Sequence, residues 1–160
     1  MILILTKKAA DYYHIKLVKS EKKAENDLCE WYCNLFIANR RKYFIVANAI
    51  TLYSIIFPAK GIKNESDFIN RFISELSDQM KSDGFKEIFD NNIKNNCEEV
   101  YYCKTESRSV LGSMNDMINM LKYSIEFQDS IERVIKELCN RTLFTCINPA
   151  FPIDYMAKYK

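Results

Sequence analysis

The sequence predicts an α+β fold, a small antiparallel sheet with a hairpin or meander packed against several amphipathic helices. Three observations predict it. Strand-like runs at 31–37 and 42–47 flank Ala38-Asn39-Arg40-Arg41, a connection of the right size for a tight hairpin. Phe68, Ile69, Phe72, Ile73, Leu76 and Met80 recur on one helical face, with Glu75, Asp78 and Lys81 opposite. Strands come mostly first and helices mostly last, the order expected of an α+β chain.

Taken in order, Ile2-Leu3-Ile4-Leu5 reads as a short strand buried on both faces. Residues 7–18 are ambiguous, with a short helix placing Ala9, Ala10 and Tyr13 inward as one reading. A charged connector spans 20–27. After the hairpin, Asn48 and Ala49 offer a second turn, and 51–57 is a β-branched and aromatic strand candidate ended by Pro58. The helix over 68–80 takes Asn64 or Ser66 as its cap and Gly84 just past its end. A shorter helix is expected through Phe85, Ile88, Phe89 and Ile93, then a strand over 98–105. Two further helical stripes follow, one through Met114, Met117, Ile118, Leu121 and Ile125, the other through Phe127, Ile131, Val134, Ile135 and Leu138. Pro149 and Pro152 mark an irregular tail.

Composition limits the class. A chain of 160 residues that is 48% hydrophobic fits one compact domain over 1–160. With 23 basic residues against 21 acidic, the net charge of +2 carries no message about nucleic acid or membrane. The apolar start breaks at once into Lys7-Lys8 and is too short for a signal peptide, and no run approaches the ~18 apolar residues of a membrane span. A soluble, cytoplasmic protein without membrane contact is expected. In that setting the six cysteines are free thiols by default, and the single histidine, His14, leaves the usual structural zinc patterns incomplete. No metal and no cofactor are expected.

The segment Arg108-Ser109-Val110-Leu111-Gly112-Ser113-Met114-Asn115-Asp116 concentrates the polar chemistry at what reads as a strand-to-helix turn. In the ligand reading, Gly112 lets the backbone approach a phosphate or carboxylate, Arg108 grips it and Ser113 donates a hydroxyl, with Ser109, Asn115 and Asp116 completing a pocket. In the structural reading, Ser113 caps the helix, Asp116 faces the helix dipole, and Arg108 pairs with Asp116. The glycine spacing lacks the P-loop and dinucleotide fingerprints.

Arg40, Arg41 and Lys42 at the hairpin tip form the nucleic-acid candidate. Tyr32, Phe36 and Tyr43 lie close enough in sequence to stack on bases, and Lys7-Lys8 extend the patch if the first strand lies beside the hairpin. The alternative is a solvated turn whose aromatics point into the core. His14 has no nucleophile motif beside it, and Glu98, Glu99 and Asp154 show no paired acid/base spacing, so no catalytic residue is assigned and an enzyme is neither indicated nor excluded.

Three pieces carry a family likeness: Leu3-x-x-Thr6-Lys7-Lys8; the hairpin Trp31-Tyr32-Cys33-Asn34-Leu35-Phe36 with Arg40-Arg41-Lys42 and Asn48-x-x-Thr51-Leu52; and the Arg108–Asp116 segment. In these the chain resembles an uncharacterised bacterial domain family of unknown function and similar length. Cys33 departs from the small residue expected in the family's W-x-A-N pattern, which touches packing more than chemistry. The resemblance implies a compact α+β bacterial protein and transfers no activity, cofactor or catalytic residue. Two functions from different classes follow. The first is a binding or interaction module for a protein or nucleic-acid partner. The second is an enzyme or small-anion binder with its pocket at Arg108–Asp116.

Overall fold

The computed structural model describes residues 1–18, 24, 26–105, 107–127, 138–144 and 150–160, without the side chains of 125–127. Five strands form one sheet: β1 (Ile2–Leu5), β2 (Glu30–Ala38), β3 (Arg41–Asn48), β4 (Ser54–Pro58) and β5 (Tyr101–Lys104), in the order β4-β3-β2-β1-β5. The meander β2-β3-β4 is antiparallel as expected. The sheet as a whole is mixed, because β1 lies parallel to both β2 and β5. The class is α+β.

Residues of the hairpin alternate between two cores. Trp31, Cys33, Leu35, Phe44 and Val46 face one side, and Tyr32, Phe36, Tyr43, Ile45 and Ala47 the other. On the first face lie α1 (Lys7–Tyr12), α2 (Glu65–Ser82), α3 (Lys86–Ile88) with its π-helical continuation Phe89–Ile93, and α5 (Pro152–Ala157). On the second lies α4 (Arg108–Phe127), packed through Val110, Met114, Met117, Ile118 and Leu121. The sheet is therefore covered on both sides, which explains a first strand with no polar face.

The local chemistry explains the elements. The side chain of Asn64 caps α2 by accepting from the N–H of Asp67 at 2.9 Å, and the Asp67 carboxylate accepts from the N–H of Lys63 at 3.0 Å. Past the far end of α2, Gly84 sits at φ +80°, the left-handed stop anticipated there. His14, exposed, plays the same part after α1 at φ +56°. The irregular tail is corrected in one part. Pro152 opens α5 as its first residue, where a missing N–H costs nothing. The stripe expected through Ile131, Val134 and Ile135, most of the 20–27 connector, and Pro149 lie outside the described residues.

Both sheet edges are closed by polar contacts. Val18 bridges β5 by donating to the carbonyl of Tyr102 at 3.0 Å and accepting from Lys104 at 3.2 Å. On β4, Ser54, Ile56 and Pro58 turn their backbone groups away from β3. The buried Asn140 side chain accepts from Ser54 N–H at 2.7 Å and donates to its carbonyl at 3.0 Å, and Pro58 has no N–H to offer.

Candidate functional site

The Arg108 segment is not a strand-to-helix turn. The helix already begins at Arg108, and Ser107 stands at its start, accepting weakly from the N–H of Val110 at 3.4 Å. Ser113 is therefore a mid-helix residue, 8% exposed against the second core, and not the cap. Arg108, Ser109, Gly112, Asn115 and Asp116 are exposed. Arg108 and Asp116 stand eight residues apart along α4, about 12 Å, which is beyond ion-pair reach. Gly112 lies within the helix, and a Cβ there would meet no atom within 4 Å among the described residues. Gly112→Ala is expected to raise stability by about 1 kcal/mol, read as a Tm increase of roughly 2–4 °C. A lower Tm would reveal a close approach to this face from within the chain.

The hairpin tip forms as the sequence predicts. Asn39 and Arg40 both have positive φ, +44° and +59°, the signature of a two-residue type I′ turn whose twist matches its strands. Asparagine tolerates this conformation. Arginine at the second position is disfavoured relative to glycine by about 1 kcal/mol. Arg40, Arg41 and Lys42 are all exposed, and the ammonium of Lys42 lies 4.5 Å from the centre of the Tyr12 ring. The stacking aromatics do not accompany them. Tyr32, Phe36 and Tyr43 are at most 5% exposed, with Phe36 stacked on Tyr43 at 5.6 Å inside the second core. Period-two alternation from the buried Cys33 and Leu35 fixes their direction.

Topology adds what local sequence does not. β1, β2, β4 and β5 all run in one direction, so their carboxyl ends share an edge with the start of β3. Lys7 and Lys8 follow β1, Lys60 and Lys63 follow β4, and Lys104 ends β5 with Arg108 four residues on. With the three cations of the hairpin tip, nine exposed lysines and arginines stand at this edge. Among the described residues the ion pairs are Arg71–Glu75 and Lys86–Asp90, neither of which uses any of the nine. The nearby carboxylates are Asp11, Glu65 and Asp67; Glu106 lies outside the described residues. The near-neutral total of the chain therefore conceals an uneven distribution. The opposite edge carries both signs, with Glu98 and Glu99 before β5, Asp27 before β2, and Lys81, Lys94 and Lys160 around them.

Of the residues in the three motif pieces, Lys7, Lys8, Arg40, Arg41, Lys42 and Arg108 lie on this charged edge, and others build the framework. Thr6 caps α1 by accepting from Ala9 N–H at 3.4 Å, and its hydroxyl donates to Asn34 Oδ1 at 2.9 Å, tying β1 to β2. Asn48 and Thr51 form a buried knot in the β3–β4 turn. Cys33 is fully buried in the first core, a packing position as expected. Five cysteines (Cys29, Cys33, Cys97, Cys103 and Cys139) are free. Burial pushes the thiols of Cys29 and Cys33 up, Cys97 up to about 11 and Cys139 up to about 12, so these four stay protonated and are poor nucleophiles. No group of His, Cys, Asp and Glu among the described residues is placed to hold a metal ion, and no described helix is long and apolar enough to cross a membrane.

A family model for a domain of unknown function, DUF6933, matches residues 2–155. The chain belongs to that family. The match spans all five strands and both long helices, so the basic edge lies within the DUF6933 domain. A search of curated proteins finds no match.

Proposed function

We propose that this DUF6933 domain is a binding module that contacts nucleic acid through the carboxyl edge of its sheet, with the β2–β3 hairpin tip as the leading contact. The observation that carries the reading is the exposure of Arg40, Arg41 and Lys42 at a type I′ turn and the strand that follows it, outside any ion pair among the described residues. An arginine at a positive φ where glycine is the better residue supports a role for its side chain outside the fold. The burial of Tyr32, Phe36 and Tyr43 supports contact by charge to phosphates over stacking on bases. The spread of Arg108, Ser109, Gly112, Asn115 and Asp116 along an exposed helix face favours a contact surface over an enclosed small-ligand pocket. The cytoplasmic setting expected from the sequence, and the bacterial one that the family resemblance implies, fit a nucleic-acid partner.

The test is fluorescence anisotropy with labelled oligonucleotides at low salt. The Arg40→Gly/Arg41→Gln/Lys42→Gln variant is expected to bind on the order of tenfold more weakly. It should melt no lower than the wild type, because glycine relieves the turn. Equal affinity in wild type and variant would sink the proposal.

A further inference from the structure

The hairpin tip is only the upper end of the charged edge. β2 continues five residues past Cys33, the partner of Leu5, so the hairpin projects about 16 Å beyond the end of β1. Lys104 pairs with Leu5 at the lower level, and Lys7 and Lys8 start α1 there, beside the Thr6–Asn34 contact. On the other side of the hairpin, Pro58 pairs with Tyr43, which brings Lys60 and Lys63 near the level of the tip. Arg108 belongs to the same edge from the α4 side. The helix descends from it, and by Met117 has reached the opposite end of β4, where the Ser54 hydroxyl lies 3.4 Å from Met117 Sδ. The nine cations thus step down a ramp across the ends of five strands, about 19 Å wide at sheet spacing.

We infer that this whole ramp is one footprint for the phosphate backbone of a duplex nucleic acid, held without base readout. The inference rests on the proposed function and extends it from three residues to nine. Charge complementarity selects the occupant. Four separate stretches of sequence (7–8, 40–42, 60–63 and 104–108) contribute cations to one edge, and the flanking carboxylates leave it strongly net positive while the chain totals +2. A duplex presents phosphates on both sides of a groove over about the same span, and a two-stranded ribbon fits its major groove. Unpaired bases would need an exposed aromatic platform. None of the described aromatics at this edge is exposed, and the face of the half-buried Tyr12 is occupied by Lys42.

Affinity for a 20-base-pair duplex, measured from about 50 to 200 mM salt, separates the two footprints. Contact by the full ramp gives a slope of log K against log salt of roughly −8, whereas the hairpin alone gives a slope no steeper than about −3. Lys104→Gln/Arg108→Gln, far from the tip and exposed, is expected to weaken binding several-fold and make the slope shallower by about 2. Lys81→Gln/Lys94→Gln, at the opposite edge, is expected to match the wild type. Each variant is compared only after its Tm is found close to the wild-type value. A Lys104/Arg108 variant with wild-type slope and affinity overturns the extended footprint and leaves the hairpin reading standing. A wild-type protein that binds no oligonucleotide overturns the proposed function itself. Tighter binding to the single strand than to the duplex, or an equal loss in the opposite-edge control, also overturns the inference.

Discussion

Asn48→Ala is expected to lower the unfolding free energy by about 3–5 kcal/mol, a large part of the 5–15 kcal/mol typical of a domain. The side chain is fully buried at the end of β3 and uses both ends of its amide. Its Oδ1 accepts from the N–H groups of Ile50 at 3.1 Å and Thr51 at 2.9 Å, and from the Thr51 hydroxyl at 3.1 Å. Its Nδ2 donates to the carbonyls of Asp27 at 3.3 Å and Glu30 at 3.2 Å. The Thr51 hydroxyl oxygen accepts in turn from Tyr53 N–H at 3.1 Å, which leads into Leu52 at φ +56° and the start of β4. Alanine leaves the buried Thr51 N–H and hydroxyl without this acceptor, and removes the part-buried bonds to Ile50 and Asp27 as well; each buried orphan costs about 1–3 kcal/mol. Urea unfolding checks the value. A midpoint within error of wild type would mean that the turn holds without its asparagine.

Trp31→Ala is the second large effect, expected at about 4 kcal/mol or more. Trp31 is fully buried, its ring meets Phe72 of α2 edge-on at 5.6 Å, and its indole N–H donates to the carbonyl of Leu28 at 2.8 Å. The substitution opens a cavity between the sheet and α2 and also leaves the Leu28 carbonyl without that donor. Trp31→Phe largely separates the two contributions, because it removes the indole N–H while keeping most of the aromatic volume; a loss of about 1–2 kcal/mol is expected. Equal losses in both variants in denaturant titrations would contradict the packing account.

The elements whose signals are local were legible in the sequence. The hairpin is written in two alternating runs around Asn39-Arg40, and α2 in its apolar stripe, Asn64 cap and Gly84 stop. The start of α4 was not legible, because Gly112 looked like a turn residue. In the structure it is an exposed helical position, and the hydroxyl that helps to start the helix is Ser107. Pro152 misled in the same way, since a proline that ends one segment can open a helix. Strand partners are non-local, so nothing in Ile2-Leu3-Ile4-Leu5 says that it lies between β2 and β5. The candidate site divides along the same line. Arg40, Arg41 and Lys42 stand together in sequence and could be named. Lys60, Lys63 and Lys104 could not, because only the shared direction of four strands brings them to the same edge. A net charge of +2 hides such a patch, because composition does not report where charges sit.

The proposed working surface of this domain is the carboxyl edge of its sheet. Its most direct test is a titration of the isotopically labelled protein with duplex DNA, followed by backbone amide chemical shifts. Perturbations are expected to concentrate at residues 7–8, 39–42, 60–63 and 104–108, with the amides around Glu98, Glu99 and Lys81 unmoved. Perturbations centred on the opposite edge, or confined to the middle of α4 around Asn115 and Asp116, would contradict this proposal.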